Sequence, residues 1–325
     1  MPFVVSGLGV MKKFFHLLIA ILAATIFTSC STTPPASRNP TTIVQPNRKA
    51  RICISKGTTS QSVGDLNGAL QWYTKAIEAD PSNSCCYQYR AHVYARLEQC
   101  EPCLNDCNRM VELSPNCGLF YLVRGGFLLK CGKVCDGMVD YANGSILYPQ
   151  ASHIFNHITQ ISVYKRIADL KPADCDTAIS NLTVLIQANP STGISYSFRG
   201  LAELAKADYA PAVADFNAAQ ERDEALIVPL YFRAQVFDRV GQVKDAISGY
   251  SEFVTNVARE QEYNREKNTV QAVGNFFDSF VVSGVVGALT LHPTGKPLKL
   301  FLLPALKDLN DEAEKRVQEL SALSH

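Results

Sequence analysis

The sequence predicts an all-α fold in which helix-turn-helix units repeat and stack into a solenoid, followed by capping helices. Three observations support this prediction. Segments of similar pattern end at prolines 34 residues apart, at Pro81, Pro115 and Pro149. A second set with the same period begins at Ala178, after a slip of seven residues, so six units are expected. Hydrophobic residues form 47% and charged residues 19% of the 325 residues, which is enough apolar surface for a folded core.

The first 30 residues are predicted to be an export signal. Two lysines follow Met11, the expected true start, and precede an apolar stretch over residues 14–27 that ends shortly before Cys30. Charge, length and apolarity of this kind are typical of a secretory signal. The segment resembles a bacterial lipoprotein signal, which implies a lipid on Cys30, although the three residues before Cys30 depart from the usual lipobox. An ordinary cleaved signal and a membrane anchor stay open as alternatives.

The segments that flank the repeats differ in character. Residues 31–49 are rich in Pro, Ser and Thr without an amphipathic pattern, which predicts a flexible linker. Residues 261–325 are predicted to form a C-terminal capping and hydrophobic helical region. Within it, residues 273–291 are just long enough to enter a bilayer, but Asp278 and three glycines weaken a spanning helix. Capping of the last repeat is therefore the favoured interpretation.

Residues 50–260 carry the repeat, and its columns indicate how the helices pack. The second helix of each unit has a small residue in one column and a larger apolar residue four positions later. The small column contains Ala69, Cys103, Gly137, Ala178, Ala212 and Ala246, and the larger one contains Tyr73, Cys107, Tyr141, Leu182, Phe216 and Tyr250. Positions four apart share a helix face. One helix pair cannot bury such a stripe alone, so the units are expected to stack.

The first helices of the units also agree with one another. An arginine followed by Gly or Ala recurs in "YQYRAHVY", "YLVRGGFLL", "YSFRGLAEL" and "LYFRAQVF". A 34-residue period with aromatic, small, aromatic and proline positions at these spacings resembles the tetratricopeptide repeat (TPR). The resemblance covers residues 50–260, although the first helix of unit one and the start of unit four depart from it. It implies a right-handed superhelix whose first helices line a concave, protein-binding groove.

Oppositely charged residues recur 16 positions apart across the predicted hairpins. Because the hairpin is antiparallel and turns near its middle, this spacing places the two side chains opposite one another. We interpret them as structural ion pairs that hold each hairpin together. The pairs are Arg90 with Asp106, Arg124 with Asp140, and Arg199 with Asp215.

The cysteine-rich segment "EQCEPCLNDC", residues 98–107, raises the question of a redox or metal site. Cys103 and Cys107 stand in the small and large apolar columns, and Cys100 stands in a further apolar column. Pro102 matches Pro211 of a later unit, in the first turn of a helix where proline is favoured. We therefore interpret these cysteines as small apolar residues of the core.

Metal binding or redox chemistry stays open as the alternative function. It would use Cys100, Cys103, Cys107, Cys131 and Cys135. Disulfides are expected in an oxidising compartment, either Cys131 with Cys135 or pairs among Cys53, Cys85 and Cys86, because the sequence does not determine connectivity.

Positions of the first helices that face the groove give the candidate protein-binding residues. In units three to five they are almost entirely apolar and predict a trough formed by Leu119, Leu122, Leu129, Val163, Ile167, Leu170, Ile194, Leu201 and Leu204. In units one and two they are mixed, with Arg51, Ile54, Thr58, Gln61, Cys85, Gln88, His92 and Ala95. An amphipathic helix of a client protein or the chain's own tail could fill the trough. Packing of a tightly wound superhelix on itself is the third alternative.

A protein-binding role follows from the resemblance rather than from any catalytic motif. The net charge of +1 argues against nucleic-acid binding, and no cofactor is expected. The resemblance is to bacterial TPR lipoproteins of the NlpI type, which implies a membrane-tethered scaffold without catalysis of its own. The lysine and asparagine pattern of TPR proteins that clamp a terminal carboxylate is missing. Ser31 after Cys30 is compatible with sorting to an outer membrane, so the bacterial cell envelope is the expected location.

Overall fold

The computed structural model describes residues 44–149, Val163, Arg166, Leu170, and residues 172–266 and 299–323. The predicted signal, Cys30, most of the linker and residues 267–298 lie outside the described residues. Across the part that is described, the chain forms twelve helices and no strand, so the predicted all-α fold is confirmed. These helices belong to two compact units that meet in sequence between Lys133 and Val134.

Five of the described helices lie in the first unit and follow one another in packing order. They are α1 (Arg48–Ser62), α2 (Leu66–Ala79), α3 (Ser84–Arg96), α4 (Cys100–Leu113) and α5 (Gly118–Lys130). Each helix packs against the next along the chain. Asn47, Asp65 and Asn83 cap the first three helices, because their side-chain oxygens accept hydrogen bonds from backbone amides of the first turn.

The second unit contains the remaining seven described helices. They are α6 (Val134–Leu147), α7 (Pro172–Ala188), α8 (Gly193–Ala205), α9 (Tyr209–Arg222), α10 (Val228–Arg239), α11 (Val243–Glu266) and α12 (Lys299–Leu323). Helix α8 lies against α6, α7, α9 and α10, and is therefore covered on several sides. Among the residues that can be described, no helix is long and apolar enough to cross a membrane.

Five turns between paired helices share one geometry. In each, a residue just after the first helix adopts a positive φ, at Gly64, Glu98, Gly132, Ala207 and Gly241. Its amide and the next amide donate back into the last turn, for example from Ala207 to Leu204 and from Asp208 to Glu203, both at 3.0 Å. This is the Schellman motif, which satisfies carbonyls at a helix end. Within each of the two compact units, successive turns of this kind are 34 residues apart. This spacing equals the period of the repeat in the sequence.

The two predicted apolar columns lie in the core. Ala69, Ala212, Tyr73 and Phe216 are at most 1% exposed, and a β-carbon added to Gly200 would lie 2.8 Å from the Phe216 ring. Two helices approach this closely only because one of them has almost no side chain at the crossing. The packing role assigned to the columns is therefore what the structure shows at these positions.

Helix α12 closes one side of the second unit. It packs on α11, and its residues Leu309, Ala313 and Leu320 are buried. The Arg316 guanidinium donates to both carboxylate oxygens of Asp238 on α10, at 2.6 and 2.9 Å. The apolar and charged contacts together fix the helix against the last repeat.

Candidate protein-binding surface

The predicted apolar trough is not an exposed surface. Leu119, Leu122, Leu129, Val163, Ile194, Leu201 and Leu204 are each at most 4% exposed. Leu170 is partly buried, and Ile167 lies outside the described residues. An open trough is therefore not found at these described positions, and their role in protein binding stays a prediction.

The reason lies in the helices that carry these residues. Helix α5 is apolar nearly all the way round, and a helix of that kind is buried rather than half-exposed. Helix α8 is enclosed by four neighbours of its own unit, and even Ser195 and Ser197 are 0% exposed. Spacing along a helix selects a face correctly, but it does not determine whether that face meets solvent.

The polar positions of the first two repeats remain accessible. Arg51 is exposed, and Thr58, Gln61 and His92 are partly exposed on the first helices α1 and α3. We call these four residues the polar inner face. They occupy the groove positions that the sequence had indicated as mixed in character.

A hydrogen-bonded chain behind the polar inner face fixes its side chains. The Tyr73 hydroxyl donates to Gln61 Oε1 at 3.0 Å and lies 3.4 Å from the Thr58 hydroxyl. The Gln61 amide nitrogen then lies 3.0 Å from His92 Nδ1. Since an amide NH₂ can only donate, His92 Nδ1 accepts, and its proton resides on Nε2. The glutamine is thus held in one orientation between the two repeats.

Burial keeps the Tyr73 hydroxyl, at the centre of the hydrogen-bonded chain, uncharged. Tyr73 is 0% exposed, and that burial raises the pKa of its hydroxyl to about 12, with smaller opposing effects from Thr58 and Arg96. The phenol is therefore a neutral donor at any ordinary pH. The cluster presents neutral donors and acceptors with one cation, Arg51, which suits a peptide backbone and polar side chains better than a highly charged ligand.

Arginines of the first helices bind partners on two neighbouring helices. Arg90 forms an ion pair with Asp106 at 2.8 Å through two nitrogens, and donates to Thr74 at 3.2 Å. Arg199 repeats the pattern with Asp215 and Thr183. These bonds raise the pKa of both arginines, with the aspartate hydrogen bond as the largest cause.

The second partner of each arginine was not predicted from the sequence. It lies 16 residues before the arginine, on the second helix of the preceding repeat. Arg124 and Arg233 use Asn108 and Asn217 at the same spacing. A column of Thr or Asn at this position was the available signal. The third predicted pair, Arg124 with Asp140, joins residues of different units and stays a prediction.

The cysteines are paired differently from the sequence prediction. Cys100, at the start of α4, is joined in a disulfide to Cys131, just after α5, with Cα atoms 5.6 Å apart. Cys53, Cys85, Cys86 and Cys135 do not form disulfides, so the pairings proposed among the first three and between Cys131 and Cys135 are wrong. The ends of neighbouring hairpins meet at this edge of the first unit. Residue spacing within one helix cannot predict that proximity.

Cys107 and Cys135 lie in environments unsuited to redox or metal chemistry. Burial is the largest cause that raises the pKa of Cys107 well above its ordinary value, and it raises the pKa of Cys135 to about 12. A reactive or metal-binding cysteine needs the thiolate, which a raised pKa disfavours. Over the described ranges, no group of three or more His, Cys, Asp or Glu residues is placed to hold a metal ion.

Comparison with protein families identifies the first helix pair. Residues 50–83, which span α1 and α2, match the family model of the tetratricopeptide repeat. This segment contains Thr58, Gln61 and Tyr73, and therefore three of the four residues in the hydrogen-bonded chain behind the polar inner face.

Curated relatives match over part of the chain. RNA polymerase II-associated protein 3 of Rattus norvegicus is 30% identical over 115 residues, which cover 35% of this chain and 18% of the relative. The STIP1 homolog of Dictyostelium discoideum is 33% identical over 86 residues, covering 26% of this chain and 15% of the relative. The match thus spans less than a fifth of either relative.

Solved structures show similarity over larger parts of their own length. The first TPR of Spaghetti (RPAP3), bound to the HSP90 peptide SRMEEVD, is 29% identical and covers 36% of this chain and 95% of its own, with a TM-score of 0.32. PilW, a type IV pilus biogenesis factor, is 18% identical and covers 69% of this chain and 99% of its own, with a TM-score of 0.36.

Proposed function

Because residues 50–83 match the tetratricopeptide repeat model, we propose that the chain is a tetratricopeptide repeat scaffold that holds a segment of a partner protein on its polar inner face. We propose further that a lipid on Cys30 tethers it in a bacterial cell envelope, as in lipoproteins of the NlpI type, and that it performs no catalysis itself. The expected membrane is the outer one, since Ser31 follows Cys30.

The observation that carries the binding role is the hydrogen-bonded chain from Thr58 through Tyr73 and Gln61 to His92. It fixes polar side chains at the accessible surface of α1 and α3, so little side-chain entropy is lost when a ligand binds. Fixed amide, hydroxyl and imidazole groups can pair with the backbone of an extended or helical segment. The apolar trough offers no such surface, because its described members other than Leu170 are buried.

Photocrosslinking in cells tests the binding role. A photoreactive amino acid at Arg51 or Thr58 should form an adduct with one partner protein, whose identity and contact site mass spectrometry would determine. The matched control is the same probe at Val184, which is 61% exposed in the second unit. The His92→Ala and Gln61→Ala variants should reduce the adduct, since each removes an ordered polar group. Equal adducts at Val184, or no effect of the two substitutions, would contradict the proposal.

The tether has its own test. Intact-mass measurement of the mature protein from the native bacterium should find an N-terminal Cys30 that carries lipid. A Cys30→Ser variant should keep the crosslinks at Thr58 in solution but lose membrane attachment. An unmodified mature N-terminus at a different residue would show that the signal is an ordinary cleaved one.

A further inference from the structure

The exposed side of the first helix pair carries an unusual concentration of positive charge. Arg48, Lys49 and Lys56 of α1 are exposed, and exposed Lys75 of α2 lies beside them. Ile52, which is 50% exposed, lies on the same side of α1, because positions 49, 52 and 56 share a helix face. We call these five residues and the adjoining Trp72 the basic face.

The indole of Trp72 joins the two helices of the basic face. The Lys56 and Lys75 ammonium groups each lie 4.5 Å from the centre of its ring. The negative face of an aromatic ring attracts cations. Two like charges are thus held at one ring, and within the described residues neither lysine has a carboxylate partner.

The charge of α1 works against the stability of the helix itself. Its 15 residues contain four cations and no acidic residue, and three of the cations lie in the first turn. Cations near a helix N-terminus oppose the helix dipole, which favours negative charge there. The whole chain has a net charge of +1, so the remainder of the protein is net negative and α1 stands apart. Such a local departure from stabilising placement is typical of a binding surface.

We propose that the basic face lies on the surface of the anionic membrane to which the chain is tethered. This inference rests on the proposed tether for its choice of partner. Arg48 is 18 residues after Cys30, a length that spans roughly 25 Å as a flexible chain and at most about 60 Å when extended. A surface so close to the anchor meets lipid headgroups before it meets most other anions.

The chemistry of the basic face fits a lipid surface. Cations bind anionic headgroups while an apolar side chain between them enters the interface, and Ile52 is positioned among the cations in this way. A single acyl chain gives weak and reversible attachment, whereas one chain combined with a basic patch holds a protein stably. The basic face would thus supply a second membrane contact and orient the first repeat.

Tryptophan fluorescence tests this proposal at the surface itself, because Trp72 is the single tryptophan of the chain. The full-length protein is mixed with vesicles of phosphatidylcholine, with or without 30 mol% phosphatidylglycerol, that carry lipids brominated on the acyl chain. We expect quenching of Trp72 emission with the anionic vesicles and reversal of that quenching by salt. The Arg48→Gln/Lys49→Gln variant should partition roughly 25-fold less, since each cation near an anionic surface contributes roughly fivefold.

The matched control is the Lys133→Gln/Lys244→Gln variant, which removes two exposed lysines that lie outside the first helix pair. Its quenching should equal that of the unmodified protein. Equal quenching by neutral and anionic vesicles, or an unchanged Arg48→Gln/Lys49→Gln variant, would overturn the proposal. A response of Trp72 to poly-glutamate but not to vesicles would also overturn it and assign the face to an acidic protein segment.

The two proposals can fail separately. An unlipidated mature protein whose Trp72 still responds to anionic vesicles would overturn the tether and leave the basic face as a membrane contact. A lipidated Cys30 together with Trp72 emission that does not respond to anionic vesicles would support the tether and overturn the basic face as a membrane contact.

Discussion

At the scale of single residues, two of the turns after the first helices have a residue type that does not suit the backbone conformation. Glycine adopts positive φ without steric penalty, and Gly64, Gly132 and Gly241 do so. Glu98 and Ala207 adopt φ values of 59° and 62° at the equivalent positions. A β-carbon in this region crowds the backbone. These two turns are therefore strained relative to the other three.

We predict that Ala207→Gly stabilises the protein by about 0.5–1 kcal/mol, because relief of the β-carbon contact outweighs the added freedom of the unfolded chain. Thermal denaturation followed by circular dichroism measures the change. The control is the reverse substitution at the equivalent position, Gly241→Ala, which should destabilise the protein by about 1 kcal/mol. A lower melting temperature for Ala207→Gly would contradict this account of the turn.

The arginine ion pairs permit a second prediction at this scale. Asp106→Ala should reduce the free energy of unfolding of the first unit by about 2 kcal/mol, because it leaves Arg90 without its carboxylate. The loss stays below that of a fully buried pair, since the Arg90 side chain is 20% exposed and water screens its charge.

Denaturant unfolding followed by Trp72 fluorescence measures this loss. Glu112→Ala, which breaks the exposed pair with Arg109, should have no measurable effect and is the matched control. Similar effects of the two substitutions would show that the Arg90 pair is not structural.

At the scale of helices, the columns of the repeat were predictable and the exposure of its faces was not. A 34-residue period and a small residue four positions before a large one are local properties, and they locate helices and seams. Whether Leu201 meets solvent depends on four other helices that lie around α8. The polar inner face shows the same limit, because the bond between Gln61 and His92 joins residues 31 apart on different repeats.

Helix α12 supports a prediction about the end of the array. Leu320 is 2% exposed against the second unit, and Leu323, one turn later, is 76% exposed. Leu320→Ala should therefore destabilise the second unit by about 2–3 kcal/mol, and Leu323→Ala should leave it unchanged. Urea unfolding followed by circular dichroism, with limited proteolysis of α12, measures both. Equal behaviour of the two variants would show that α12 does not stabilise the last repeat.

At the scale of the whole molecule, three of the features described above lie in the first unit. It contains the disulfide between Cys100 and Cys131, the basic face and the polar inner face. The sequence predicted an oxidising compartment from its export signal, but the partner of Cys100 depends on how neighbouring hairpins stack. The resemblance to the tetratricopeptide repeat predicts that repeats stack. It does not predict the disulfide between Cys100 and Cys131, which depends on particular residues at one edge of the first unit.

The disulfide should stabilise the first unit by about 3 kcal/mol, because it closes a loop between residues 31 positions apart. We predict that Cys131→Ser lowers the denaturant midpoint reported by Trp72, and that reductant removes the difference between variant and unmodified protein. Peptide mapping of the non-reduced protein gives an independent measurement. A cross-linked peptide that joins Cys131 to another cysteine would contradict the pairing.

Arg199 and Arg233 each form hydrogen bonds to side chains on two neighbouring helices, and this has a consequence for genetic exchange between repeats. Each arginine needs a Thr or Asn 16 positions before it, and Thr183 and Asn217 fill this place one period apart. Unequal recombination that removes residues 193–226, one full period, would set Thr183 opposite Arg233 and keep the bond. A deletion four residues shorter would misplace the partner by about one helical turn. Loss or gain of this one whole period would thus keep the arginine contact at the new junction.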